Sequence, residues 1–335
     1  MLVYQGVGKS VRILAAVLTA ALWPVAPAKA QSWTASHQFP TGDPRDLALQ
    51  ALARDTAKLG LTIRIFPSAS LLRPRDQWNG LINGTVDMIF TPADYLIDQF
   101  PQLAALSLPG MIRSHDQALR VRTSAPMREL RRQIEAEGVV IIADSWIAGT
   151  IGGRQKCIQA PDDVRGFRAR VIGRYMSDTW AAAGAVPVSA PTSETLGTLV
   201  DSQLVDIANT SVTTMLTLKM QRKFSCLTVP GEAGALWYLW EPILVSKKRF
   251  DALDEPRRLA LMDAGARAQA SMDAGYSLIE RRLSGDFLAA GVEVVSMDAE
   301  TLGLWYKLSR RIAWKMFREQ VPGGAELLDR LADIQ

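Results

Sequence analysis

Between Asp254 and Ala290 the sequence holds a helical pattern without interruption. Asp254 is a cap residue, Pro256 falls in the first turn, where a missing N–H is tolerated, and no proline follows within the run. A helix of about 35 residues is roughly 50 Å long at 1.5 Å per residue. That is longer than one lobe needs, so the fold must offer this helix a body to cross, and two lobes side by side meet that demand.

The remainder of the 335-residue chain alternates helical and strand patterns. Thr41 to Pro44 offers a cap and a first-turn proline, after which Leu47, Ala48, Ala51 and Leu52 keep helical spacing until Gly60. Leu61, Ile63 and Ile65 then alternate with Thr62 and Arg64, the period of a strand, up to Pro67. A helix over 75–82, a turn at Asn83 and Gly84, and a strand over 86–90 come next. Ser114 caps a predicted helix reaching Glu137, followed by an apolar strand over 139–143. Further strands are expected near 169–172, 186–188, 204–207, 227–229 and 292–295, and a last helix over 299–320, where Leu302, Trp305, Tyr306 and Ile312 read as core packing. This is an α/β pattern with an open, mainly parallel sheet flanked by helices in each lobe. No internal repeat, low-complexity tract or Gly/Ser linker separates the lobes, so crossings are expected near 146–149, near 231–238 and within the long helix.

The first thirty residues read as an export signal. Lys9 and Arg12 precede an apolar run from Ile13 to Val25, and Ala28, Lys29 and Ala30 form a small-residue cleavage pattern. The run is shorter than a bilayer span, and the expectation is a cleaved chain beginning near Gln31. Lys9, Arg12 and Lys29 are three of the 38 cations set against 34 acids, so cleavage leaves a charge of about +1. The basic balance is therefore no nucleic-acid signal, and Arg128, Arg131 and Arg132 read as the solvated face of a helix. Cys157 and Cys226 are the only cysteines; in an oxidising compartment they are either a disulfide or two buried thiols. Neither His37 nor His115 is spaced with them as a metal ligand.

Catalytic patterns are scarce. Gly6 to Ser10 looks like the end of a phosphate loop, but Val3 stands where its first glycine belongs, and the segment lies in the export signal. There is no G-x-S-x-G elbow, no H-E-x-x-H helix and no G-x-G-x-x-G turn. Asp162 and Asp163 are placed as caps at a turn. Arg170 is the most informative polar residue, a guanidinium at the end of an apolar-flanked strand. It suits a ligand carboxylate, because its paired donors match two oxygens and its charge survives desolvation. The plain alternative is a local bridge to Asp162 or Asp163.

Several segments, in order, resemble the periplasmic solute-binding proteins of tripartite ATP-independent periplasmic (TRAP) transporters. They are Phe39-Pro-Thr-Gly-Asp-Pro44 with Ile65-Phe-Pro-Ser-Ala-Ser-Leu-Leu72, Asn83-Gly-Thr-Val-Asp-Met88, and Ile158-Gln-Ala-Pro-Asp-Asp-Val-Arg-Gly-Phe-Arg-Ala-Arg-Val171. Gly184-Ala-Val-Pro-Val188, Leu204-Val-Asp206 and Ser246-Lys-Lys-Arg-Phe-Asp-Ala-Leu253 follow downstream. The resemblance implies a two-lobed periplasmic binding protein with a helix spanning both lobes, closing on a ligand in the cleft and delivering it to small and large membrane subunits.

By that resemblance Arg170 pairs with the ligand carboxylate. The family's frequent second arginine falls on Ile151, and Arg154 comes three residues late. The family's asparagine falls on Thr210, with Asn209 beside it, and its covering aromatic falls on Ser193. Trp146, Trp237, Tyr238 and Trp240 flank the expected crossings as candidate apolar walls, Arg73 and Arg75 follow a strand that points to the cleft, and His37 lies near its mouth. The expectations are a small organic anion as ligand, a monocarboxylate, bound by a monomeric periplasmic protein without cofactor, metal or nucleic acid. Residues 31–148 with about 236–275 are expected to form lobe I, and 149–235 with about 276–335 lobe II, after a signal peptide over 1–30. The alternatives are a ligand-binding subunit for a sensor or another transporter, and a periplasmic α/β hydrolase using His37.

Overall fold

The computed structural model describes Met1, Leu2 and residues 31–190 and 192–334, the side chains at 192–195 and 277 excepted. The expected signal peptide therefore lies outside the described residues but for its first two. Ten strands are present among those residues: β1 Gln31–His37, β2 Leu61–Phe66, β3 Met88–Phe90, β4 Val139–Gly153, β5 Arg168–Val171, β6 Val186–Ser189, β7 Ile207–Ser211, β8 Cys226–Val229, β9 Tyr238–Ser246 and β10 Glu293–Ser296. Their order is β2-β1-β3-β9-β4-β7-β5-β6, with β8 also on β4 and β10 on β8.

β4 is the element that joins two halves. Its Val139–Ala148 part pairs with β9, beside β3, β1 and β2, whereas Gly149–Gly153 pairs with β7 and β8. The sequence pattern places only its first five residues in a strand. Ser145, Thr150 and three glycines dilute its apolar signal, and pairing on both edges, a tertiary contribution, carries the strand onward. The glycines are required: a Cβ would lie 2.1 Å from the Trp237 ring at Gly149 and 2.4 Å from the Phe224 ring at Gly152.

The expected parallel pairing holds for β1 with β2 and β3, β5 with β6 and β7, and β8 with β10. Pairs made by β4 and β9 are antiparallel, so the sheet is mixed, and its antiparallel part is where the chain crosses between halves. Two further expectations change. The single helix over 114–137 is two, His115–Arg122 and Ala125–Ala136, because Ser124 Oγ accepts the Met127 N–H and starts a second helix with Pro126 in its first turn. The strand expected over 204–207 begins only at Ile207, since Asp206 turns aside to bind Arg168 through both its backbone N–H and its guanidinium.

The long helix runs over Glu255–Ala289, 35 residues, with Asp254 accepting the Arg257 N–H at its start. It packs on helix Pro44–Ala57 and β4 at one side and on helix Val212–Thr217 and β8 at the other, so it contacts both halves. One apolar cluster lies around Trp33, Phe90 and Leu261 and another around Trp180, Trp237 and Trp305, while the largest runs through both halves, from Ile89 and Leu244 to Ala208 and Leu227.

Cys157 and Cys226 are joined, with Cα atoms 5.0 Å apart, tying the chain after β4 to β8. Among the described residues they form, with Glu293, the one grouping near enough for a metal ion, and the disulfide takes both sulfurs. Cross-linking across 69 residues of sequence restricts the unfolded chain. The Cys157→Ser/Cys226→Ser variant should therefore lose about 2–4 kcal/mol in urea denaturation; unchanged stability would show that the bond constrains nothing.

Candidate functional site

Arg170 is fully buried on β5, between β6 and β7, and its side chain enters a cavity of about 30 Å³ between the sheet halves. Its Nε donates to the Ala190 carbonyl at 3.0 Å and Nη1 to the Asn209 carbonyl at 3.0 Å, which fixes the plane of the guanidinium. The acids offered as local partners are engaged elsewhere: Asp162 with Arg165, Asp163 with Lys156. Burial pulls the Arg170 pKa down to about 10, against the opposing effects of Tyr95 and Asp94, so the group stays cationic at neutral pH.

Both halves line the cavity. From the β5–β7 half come Arg170, Asn209 and Thr210; from the β1–β3 half come Gln38, Asp94 and Ser107. Asp94 is placed by the short turn Ala93–Tyr95 after β3, and its Oδ1 accepts from Ser107 Oγ at 2.8 Å. It reaches the opposite half, where a Cβ at Gly173 would lie 3.4 Å from that oxygen. Burial pushes its carboxyl up to about 6, although the Ser107 bond and the Arg170 charge oppose the shift. Trp237 closes one wall: its Nε1 donates to Asn209 Oδ1 at 2.7 Å, leaving the Asn209 NH2 group for other partners. Trp237→Phe removes this buried bond and should cost about 1–3 kcal/mol of stability, read by urea denaturation; a change under about 0.3 kcal/mol would mean the bond is not formed.

Beneath the cavity lies a buried ionic cluster. Arg45 donates through Nε and Nη2 to Asp43 at 2.8 and 2.9 Å, through Nη1 to Glu241 at 2.9 Å, and through Nη2 to Thr214 at 3.2 Å. Thr217 donates to Asp43 at 2.8 Å, so helix Pro44–Ala57 and helix Val212–Thr217 are joined across the halves. Burial alone would raise both carboxylates. Asp43 ends below its usual range because it receives two guanidinium bonds, the Arg45 N–H and Thr217, whereas Glu241, with one guanidinium bond and a 3.4 Å contact from Ser145, is pushed up to about 7.

The other sequence candidates lie elsewhere. His37 is buried; its Nδ1 accepts the Phe39 N–H, so Nε2 is the protonated nitrogen and donates to Asp46 at 3.1 Å. Its neighbour Gln38, not His37, reaches the cavity. Trp146 and Trp240 face each other in register on β4 and β9, with ring centroids 6.5 Å apart. Trp146 lines a separate groove of about 530 Å³ among helix Pro44–Ala57, helix Val212–Thr217 and the long helix, and Trp240 lines neither space. That groove is larger but mainly apolar, and anion recognition needs the converging donors found around Arg170. Tyr238 is hydrogen-bonded to Tyr276 at 2.8 Å. Arg73 is exposed, as is Arg75, which faces Asp98 at 3.7 Å. Arg154 is half-buried beyond β4, its N–H on the Asp206 carbonyl, and Ile151 is buried opposite Asn209. The side chain of Ser193 lies outside those described.

Gln38, Arg45, Asp94, Ser107 and Glu241 escaped sequence reading. Glu241 had a usable signal, an acid inside an otherwise apolar strand between Trp240 and Pro242, since a carboxylate is rarely buried without a partner. Asp43 reads as part of the helix-start segment Thr41 to Pro44, and Gln38, Arg45 and Asp94 carry no local signature.

A buried guanidinium between two sheet halves, which are bridged by crossing strands and one long helix, defines a two-lobed ligand-binding receptor. The chain belongs to the bacterial extracellular solute-binding proteins, family 7, whose family model matches residues 35–320. It is 30% identical over 301 residues to a solute-binding protein of Albidiferax ferrireducens, covering 88% of each chain. It is also similar to the crystal structure of a TRAP periplasmic solute-binding protein from Rhodoferax ferrireducens with bound malonate, at 29% identity and a TM-score of 0.84, covering 90% of this chain and 97% of that one. DctP7 of Bordetella pertussis, a receptor binding pyroglutamic acid, shares the fold at 20% identity and a TM-score of 0.81, covering 90% of this chain and 99% of that one. The TRAP resemblance carried by the sequence segments is thus established for the family and for the α/β two-lobed fold.

Proposed function

We propose that this TRAP-type solute-binding protein captures a small monocarboxylic acid in the cavity around Arg170 and passes it to the membrane subunits of its transporter. The observation that carries this is the buried, cationic Arg170 with its plane set by two carbonyls, facing a cavity built from both halves. A ligand touching both halves favours the closed state through its differential contacts, so binding and hinge closure are linked without covalent chemistry. One carboxylate fits better than two. Arg45, the second cation of the cavity wall, is already held by Asp43 and Glu241, and a second ligand carboxylate would meet Asp94 and Glu241.

Malonate in the Rhodoferax ferrireducens relative supports a short organic acid, not its exact charge. In this reading Asn209 and Thr210 are polar partners of the ligand, residues 1–30 are removed on export to the periplasm, and the monomer is the working form. Residues 31–148 with about 236–275 form lobe I, and 149–235 with about 276–335 lobe II.

A thermal-shift screen of the purified protein against organic acids tests the function. A ligand at a hundred times its Kd raises stability by about 2.7 kcal/mol. At least one short monocarboxylate should raise the melting temperature by several degrees, and a screen in which no acid does so would refute acid binding.

A further inference from the structure

Arg170 satisfies one end of a bound acid, and the opposite wall restricts the chemistry of the other end. Asp94 is 8% exposed, with Oδ1 already accepting from Ser107. Gln38 is 5% exposed, and its Oε1 has no hydrogen-bond partner among the described residues. The cavity is small, about 30 Å³, so a ligand that fits it is short and its far end lies against these groups. A ligand that displaces the water must supply a donor there, because buried acceptors left unpaired are costly.

An aliphatic tail supplies no donor. A second carboxylate supplies only acceptors and carries negative charge towards Asp94 and Glu241. An ammonium supplies donors to Asp94 but has no lone pair with which to accept from the Gln38 amide. A hydroxyl supplies one donor and accepts as well, matching both an acidic side chain and an amide. With its carboxyl near 6, Asp94 is mainly ionised and accepting at pH 7.5.

We propose that Asp94 and Gln38 make this receptor selective for short hydroxymonocarboxylic acids, the carboxylate on Arg170 and the hydroxyl on the Asp94 and Gln38 wall. This rests on the acid-binding function above and narrows its ligand class.

The test is calorimetric titration of the purified protein at pH 7.5 with lactate, glycerate, propionate, malonate and L-alanine. Lactate or glycerate should bind at least about tenfold tighter than propionate, since a site built for a hydroxyl discriminates against an analogue lacking it. Asp94→Asn and Gln38→Leu should each bring that ratio towards one, and Arg170→Ala should remove binding of every acid. Two substitutions, each checked for cooperative melting, keep the result readable if one fails to fold. A ratio near one in the unsubstituted protein, a ratio surviving both substitutions, or malonate or L-alanine as the tightest ligand would overturn hydroxyl selection. If lactate and propionate bind equally and both are lost in Arg170→Ala, acid binding stands and only the selection fails. If none of these acids binds, hydroxyl selection is overturned outright, and the wider acid screen decides whether acid binding falls with it.

Discussion

Replacing Arg170 with alanine should abolish stabilisation by carboxylate ligands while leaving the unliganded protein folded. The guanidinium is fully buried, its Nε and Nη1 donate to the Ala190 and Asn209 carbonyls, and the other arginine of the lining, Arg45, is held by Asp43 and Glu241. Removing one member of a desolvated charge pair costs about 2–5 kcal/mol, or roughly thirtyfold to several-thousandfold in affinity. Arg170→Lys should lose much of the same affinity, because a single ammonium cannot hold two carbonyls and also present a fork to a carboxylate. Unliganded stability should change far less, since deleting a buried cation removes its desolvation cost together with its bonds. Calorimetric titration of both variants with the acid that most stabilises the parent protein is the measurement, and affinity within about threefold of the parent would remove Arg170 from the site.

The second large effect concerns folding. Arg45→Ala leaves Asp43 and Glu241 buried without their cation and should cost about 3–5 kcal/mol in urea denaturation. It also removes the Arg45 bond to Thr214 that helps join the two halves. Glu241→Gln should behave differently. The folded-state pKa of Glu241 is raised to about 7, so the stability tied to its protonated form is present below the unfolded value near 4.5 and is lost as pH rises through 7. The glutamine variant should not show that loss and should gain relative to the parent as pH rises from about 4.5 to 7.5. Asp43 titrates in the opposite sense: its pKa is lowered, so its contribution is present above the usual carboxylate range and disappears as pH falls through the folded value. A loss below about 1 kcal/mol in Arg45→Ala would show the cluster to be dispensable, and parallel pH profiles for parent and Glu241→Gln would show that Glu241 is ionised throughout.

How much of this was legible beforehand varies with the range of the interaction. Helix Pro44–Ala57, strand Leu61–Phe66 and helix Glu255–Ala289 were readable because caps, prolines and apolar periodicity act over a few residues. The break at Ser124 is hidden in the pattern, as apolar spacing continues through it while a serine hydroxyl and a proline start a second helix. Arg170 with Asn209 and Thr210 stood out through the family register, and they do share one cavity. Trp146, Trp240 and Tyr238 lie near a crossing, which specifies position along the chain but not the face of the strand turned to the cavity.

The sequence by itself determined the α/β alternation, the helix too long for one lobe and the family, and it singled out the arginine proposed here as the anion anchor, all of them carried by local patterns or by segments in order. Only the tertiary structure decided what stands opposite that arginine. Arg45 and Glu241 are 196 residues apart, Asp94 meets the other half near Gly173, and Trp237 reaches Asn209 across 28 residues because Gly149 has no side chain to stop it. Such meetings depend on strand register and on which residues lack a Cβ, and neither is written into the periodicity of any one segment.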